Sequence, residues 1–435
     1  MTIRQTLAVL SLAVWFCGCA PAPAPKPAAS VRAFRGATVI VQPEQTPISG
    51  ATILVRDGRV EAVGPQADVS VPPDAEVVDL SGKVVIPGLI SAHVHVSDVN
   101  GLAPRAYTPE NTLRQLGVYA RYGITSVLSL GGEKEPAFRI RDAQDTADLR
   151  HARLFVSGDV IVAKTPEEAR AEVIRVAAGK PDWIKIRVDD NLGTTAKMPP
   201  EVYRAVIEEA HRQGLRLAAH VFYLDDAKEL LKAGADLIAH SVRDKDIDEE
   251  FITLMKARNI PYCPTLTREL STFVYKAKPG FFDDPFFRAE ADPAVVESLL
   301  LPASMEKFRN SKAAAQYEAA LQVAKRNLKK AHEAGLLIAM GTDAGPAPER
   351  FPGYFEHLEM EMMAESGMPA AAILASATSR AAQALQRQDL GRLTPGAWAD
   401  FVVLSANPLE DIRHTRRIAE VRIAGNRVEA KPAKK

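Results

Sequence analysis

The chain has 435 residues, enough for a large core and more than one domain. Lysine plus arginine and aspartate plus glutamate both number 54, so the formal net charge is zero. That balance argues against a nucleic-acid-binding protein, which needs a basic excess, and the 47% hydrophobic and 25% charged composition is globular rather than disordered.

At the N-terminus, Arg4 precedes an apolar run from Leu7 to Phe16, too short to cross a bilayer as a mature helix. A positive start, a short apolar stretch and small residues after it read as a secretory signal over residues 1–19. Phe16-Cys17-Gly18-Cys19 resembles the lipobox of bacterial lipoproteins, which implies a lipid on Cys19. Simple secretion, with the whole signal removed, is the alternative. Residues 20–30, rich in proline and alanine, form a semi-rigid spacer between anchor and folded protein. The expected location is extracytoplasmic, tethered to the membrane. Of the three cysteines only Cys263 lies beyond the signal, and it reads as a small core residue.

From residue 31 to 85 the pattern is all-β. Ala51 to Val63 is two alternating runs around Asp57-Gly58, a hairpin signature. The same grammar returns in residues 386–430, with a strand at Ala399–Leu404 and a hairpin around Gly425-Asn426. Neither half can form a core alone, so the two should pair into one small β-sandwich. Between them, residues 86–385 repeat a different unit: a helix, a glycine at its end, then a short apolar strand. It occurs at Gly123, Gly214, Gly234 and Gly335. Eight candidate strands predict a closed (β/α)8 TIM barrel, an α/β fold. The stretch from Glu269 to Ser311 has no strand pattern and reads as a long loop with short helices over the barrel mouth.

The chemistry sits at the strand ends. Val85-Ile-Pro-Gly-Leu-Ile-Ser-Ala-His93-Val-His95 is an apolar strand ending in two histidines, whose side chains share a face because strand residues alternate. Lys185 lies on strand four, His220 ends strand five, His240 strand six and Asp343 strand eight. In a TIM barrel these ends converge on the active site.

This set resembles the amidohydrolase superfamily of metal-dependent hydrolases. Pro87-Gly-Leu-Ile-Ser-Ala-His93-Val-His95 is similar to its strand-one signature and Gly341-Thr-Asp343-Ala-Gly to that of strand eight. Ser379 to Leu385, Gly391 to Val403 and Asn407-Pro-Leu resemble its C-terminal segment, so the likeness covers roughly Val31 to Val428. It is nearest to the branch of imidazolonepropionase-like proteins, metal-dependent prolidases and Xaa-Arg dipeptidases. The resemblance implies two divalent ions, zinc by ligand type, although manganese, cobalt or iron suit such donors too. His93, His95 and Asp343 would hold one ion and His220 and His240 the other. Lys185, carboxylated by CO2 to a carbamate, would bridge both. A hydroxide shared by the metals would attack, with Asp343 as proton shuttle. The expected reaction is hydrolysis of an amide C–N bond, peptide-like or cyclic, in a small-molecule substrate. A lactonase or phosphotriesterase is the second enzyme reading, and a non-catalytic lipoprotein scaffold the third.

Two positions depart from relatives. The deaminase branch carries Glu three residues after the strand-five histidine; here that position is Tyr223, which disfavours deamination. After His240 stands Ser241 where most relatives have Gly. Tyr223, Arg243 and Arg268 fall on loops after strands and could bind a substrate carboxylate. Salt bridges of the two arginines to Asp244 or Glu269 are the alternative.

Overall fold

A computed structural model describes residues 31–431. The signal, Cys19 and the spacer lie outside the described residues. Both ends of the described chain enter one eight-stranded sheet. Strands Ile48–Arg56 and Arg59–Pro65 turn at Asp57 and Gly58, whose φ values of 51° and 77° suit the primed hairpin turn expected there. Strand Val31–Val39 runs antiparallel to Ile48–Arg56 and parallel to Val84–Pro87. Val84–Pro87 in turn pairs with Phe401–Leu404, more than three hundred residues away in sequence. The sheet curls until Arg59 bridges Trp398, so its two facing layers share edges. Phe34, Ile53, Val85, Phe401 and Val403 fill the space between them.

Seven barrel strands pair in parallel: Leu89–Val94, Ile124–Ser129, Arg153–Val156, Trp183–Arg187, Arg216–His220, Leu237–Ala239 and Tyr262–Cys263. The stretch 337–340 supplies the eighth. It accepts from Tyr262 N at Leu337 O (2.8 Å) and from Ala92 N at Met340 O (2.7 Å), bridging the seventh strand to the first. Between strands three and four, Asp182 N donates to Val156 O and Ile161 N to Lys185 O, both at 2.8 Å. The ring is therefore closed. The helices that return the chain end at Gly123, Gly214, Gly234 and Gly335, all with positive φ, as the repeated unit requires.

A buried ion pair joins sheet and barrel: Arg153 Nε donates to Asp400 Oδ2 at 2.8 Å. The Trp398 ring lies between the guanidinium groups of Arg59 and Arg153, 3.9 and 4.0 Å from its centroid. The insertion after strand seven carries short helices, among them Pro285–Arg288, Pro293–Leu300 and Pro302–Arg309. Its core is aromatic, with Phe282 stacked on Phe287 at 5.3 Å and Phe287 edge-on to Phe351 at 4.8 Å. Among the described residues no helix is long and apolar enough to cross a membrane.

Candidate metal centre

His93 and His95 leave the first strand on one side, and strand eight must come very close to meet them. Two glycines permit the approach. A Cβ on Gly341 would stand 2.7 Å from His93 N, and one on Gly345 would stand 2.0 Å from His95 O. This is a steric reason for glycine on both sides of Thr342-Asp343-Ala344. His240 and Asp343 both have left-handed backbones, φ 73° and 58°, an uncommon state for these residues and one that concentrates at functional sites.

The structure brings all six expected ligands to this end of the barrel. His93 Nε2, His95 Nε2 and Asp343 Oδ1 form one cluster, their ligand atoms within 4.8 Å of one another. Asp343 Oδ1 is 3.4 Å from His93 Nε2 and 3.0 Å from His95 Nε2. Lys185 Nζ is 3.3 Å from His93 Nε2. The ring of His240 lies 4.6 Å from that of His93 and 4.1 Å from that of His220.

Three of these imidazoles have one nitrogen engaged elsewhere, which fixes which nitrogen remains for an ion. His95 Nδ1 meets Gly131 O at 3.0 Å, so Nε2 is left. His240 Nδ1 meets Thr265 Oγ1 at 2.7 Å, again leaving Nε2. His220 Nε2 meets Asp189 Oδ2 at 2.9 Å, leaving Nδ1. The donor set of nitrogens, one carboxylate and one lysine amine fits divalent ions of the zinc type.

The electrostatics point the same way. Burial holds His93 and His240 well below the ordinary histidine value and pushes His220 down to about 3, so these three rings are neutral and keep a lone pair. Burial pushes the Lys185 ammonium down to about 8, which favours the free amine that CO2 needs. Burial would raise the Asp343 carboxyl, but Arg350 and His95 outweigh it and hold the group well below the carboxylate range. Burial also opposes charge on His95, and there Asp343 prevails and raises it.

Of the residues expected at the substrate, Tyr223 donates its hydroxyl to Asp190 Oδ1 at 2.8 Å and has Lys197 Nζ over its ring. Arg243 is fully buried. It faces Glu269 at 2.8 Å and donates to the carbonyls of Val221 and Ser241. Arg268 shares the same Glu269 oxygen at 2.9 Å and reaches Tyr317. Asp244 instead accepts from Leu224 N.

Sequence reasoning missed the residues that support the centre. Arg350 Nη1 donates to Asp343 Oδ2 at 2.5 Å. Glu356 accepts from Ser91 and Thr342, and Glu359 accepts from the backbone of Leu266 and Thr267, so the helix Tyr354–Glu365 pins strands one, seven and eight at their ends. Glu133 does the same after strands two and three, through Ser129, Gly131 and Gly158. Asp189 was open to prediction: it falls four residues after Lys185, on the same face of an extended chain.

A closed (β/α)8 barrel with a histidine, lysine and aspartate cluster at its strand ends is the frame of a metal-dependent hydrolase. The chain belongs to the amidohydrolase family, whose model matches residues 84–428. An imidazolonepropionase of Myxococcus xanthus is 25% identical over 419 residues, covering 87% of this chain and 89% of that one. An uncharacterised protein of Mycobacterium tuberculosis is 27% identical over 192 residues, and this chain spans about half of it, 51%; the match takes in 42% of this chain. Among solved structures, a Bifidobacterium longum protein described as a prolidase is similar with a TM-score of 0.75 at 26% identity, covering 94% of this chain and 97% of that one.

Proposed function

We propose that the protein is a metal-dependent hydrolase of amide C–N bonds, peptide-like or cyclic, in small molecules. The observation that carries this reading is the convergence of His93, His95, Lys185, His220, His240 and Asp343 at one barrel mouth, with Lys185 buried against the His93 ring rather than paired to a fixed carboxylate. The likeness to an imidazolonepropionase and to a protein described as a prolidase supports amides over other bonds. His93, His95 and Asp343 would hold one ion, His220 Nδ1 and His240 Nε2 the other, and Lys185 as a carbamate both. Bound divalent ions supply Lewis-acid polarisation of the carbonyl and activation of water at neutral pH. The Asp343 carboxylate takes a proton from the attacking water and hands it to the leaving nitrogen. Tyr223, Arg243 and Arg268 line the loops that would surround the substrate.

The sequence of the first thirty residues supports placing this enzyme outside the cytoplasm, held to the membrane through Cys19. The test of the activity is a screen of metal-loaded protein on dipeptides, N-acyl amino acids, cyclic amides, lactones and phosphotriesters, with metal content measured alongside. Turnover of amides with close to two ions per chain is the expected result. Turnover confined to lactones or phosphotriesters would replace the amide reading. A metal content near zero after loading would remove it.

A further inference from the structure

The charges around one cavity do not balance once Asp343 serves a metal. The cavity, of about 70 Å3, lies beside the helix Pro109–Arg121, the residues 287–295 and the loop after strand eight, and Arg350 stands on its wall. At roughly 10–15 Å3 for a water-sized group, that space takes about five such groups. Two acids, Glu290 and Asp292, also line it, against three arginines, Arg114, Arg121 and Arg350, on or beside the wall. Glu290 accepts from Arg121 Nε and Nη2 at 2.6 and 2.8 Å. Burial pulls the Arg114 guanidinium, on the same wall, below its ordinary value, and the charge of Asp292, which accepts from Ala294 N at 2.9 Å, opposes that shift.

Arg350 is the cation left over. Among the described residues its carboxylate partner is Asp343, at 2.5 Å from Nη1, and its Nε donates to Ser271 Oγ at 3.1 Å. Its Nη2 takes part in no hydrogen bond among the described residues. When a divalent ion takes up the charge of Asp343, the guanidinium lacks a full counter-charge, and Nη2 is a donor still to be used. Arg243 and Arg268 lie elsewhere: they share Glu269 and neither lines this cavity. The rest of the wall near Arg350 is largely apolar, with Val118, Val295, Phe287, Phe351 and Tyr354.

We propose that Arg350 binds a carboxylate of the substrate beside Asp343, and that the cavity takes the small apolar group attached to it. The protein is then selective for amides that carry a free carboxylate. A planar guanidinium can hold a carboxylate through two parallel hydrogen bonds, which an ammonium cannot do. The proposal rests on the amide-hydrolase reading above and narrows its substrate.

The experiment compares metal-loaded protein on matched dipeptides and N-acyl amino acids with a free or an amidated C-terminus. A calorimetric arm measures binding of a small apolar amino acid and of its amide. Wild type is expected to prefer the acids. In Arg350→Ala the acid-to-amide ratio of kcat/KM should fall about 10–100-fold, chiefly through KM, the usual loss for a hydrogen bond to a charged group. Arg350→Lys should keep an intermediate ratio, and if Arg350→Ala fails to fold, Arg350→Lys and Arg350→Gln carry the comparison. A wild type without preference, or variants with an unchanged ratio, overturns the proposal. If neither acid nor amide is hydrolysed, the peptide-like half of the amide-hydrolase reading falls and calorimetry decides. Acid binding lost on substitution of Arg350 supports the carboxylate site, and equal binding by wild type and variant overturns it.

Discussion

Removing Lys185 should make the metal-free protein more stable. The side chain is 3% exposed, and burial pushes its ammonium from 10.5 down to about 8. A gap of about 2.5, at about 1.4 kcal/mol per pH unit, means that carrying the charge in the fold costs about 3 kcal/mol at neutral pH. Below about pH 8 folded and unfolded chains both hold the proton, so the full cost is present. Between about 8 and 10.5 the folded chain has released it and the unfolded chain has not, so stability rises with pH across that window. Methionine has a similar reach and no charge. Metal-free Lys185→Met should therefore gain up to about 3 kcal/mol at pH 7 and lose the rise between pH 8 and 10.5. The assay is urea unfolding of chelator-treated protein at pH 7 and pH 10. Loading with zinc and bicarbonate should reverse the order, because ions that bind the native state stabilise the wild type and not the variant. A metal-free Lys185→Met that unfolds more easily than wild type at pH 7 would refute the buried-charge account.

Three further outcomes are expected. Asp343→Asn can still offer an oxygen but cannot accept a proton, so turnover should fall about 10²–10⁴-fold. Amides should suffer more than aryl esters, whose leaving groups need no proton, and equal losses would leave Asp343 as a ligand only. Asp400→Ala strands the Arg153 charge between sheet and barrel, and denaturant unfolding should show a loss of about 3–5 kcal/mol; a loss under about 1 kcal/mol would mean that the pair is dispensable. Cys19→Ala should block lipid attachment and release the protein from membranes on fractionation, whereas a wild-type mature N-terminus beyond Cys19, read by mass spectrometry, would establish simple secretion instead.

The parts legible in the sequence are those set by local periodicity. Alternation put His93 and His95 on one face, and helices ending at Gly214 and Gly234 delivered His220 and His240 to strand ends. The barrel then followed from counting units. The two β segments could be matched because neither had enough surface to stand alone, yet their joining into one curled sheet depended on long-range register, such as Val402 opposite Ile86. What stayed hidden were contacts between loops. Arg350 reaches Asp343 only because the strand-eight loop folds back, with Gly345 N on Arg350 O. Arg243 and Arg268 looked equivalent in sequence, but Arg243 points inward to carbonyls and Glu269. Left-handed backbones at His240 and Asp343 leave no trace in composition, since neither residue is glycine.

The pairing of Val84–Pro87 with Phe401–Leu404 has a consequence for the order of folding. The strand that leads into the barrel has Val31–Val39 on one side early, but cannot find its second neighbour until nearly the whole polypeptide has been made. Until then Val84–Pro87 is an unpaired edge of apolar residues, and closing the sheet means closing a loop of some three hundred residues. Such non-local contacts slow folding and prolong the exposure of sticky surface. Chains truncated before Phe401 should therefore aggregate during synthesis even though every residue of the metal cluster is present in them.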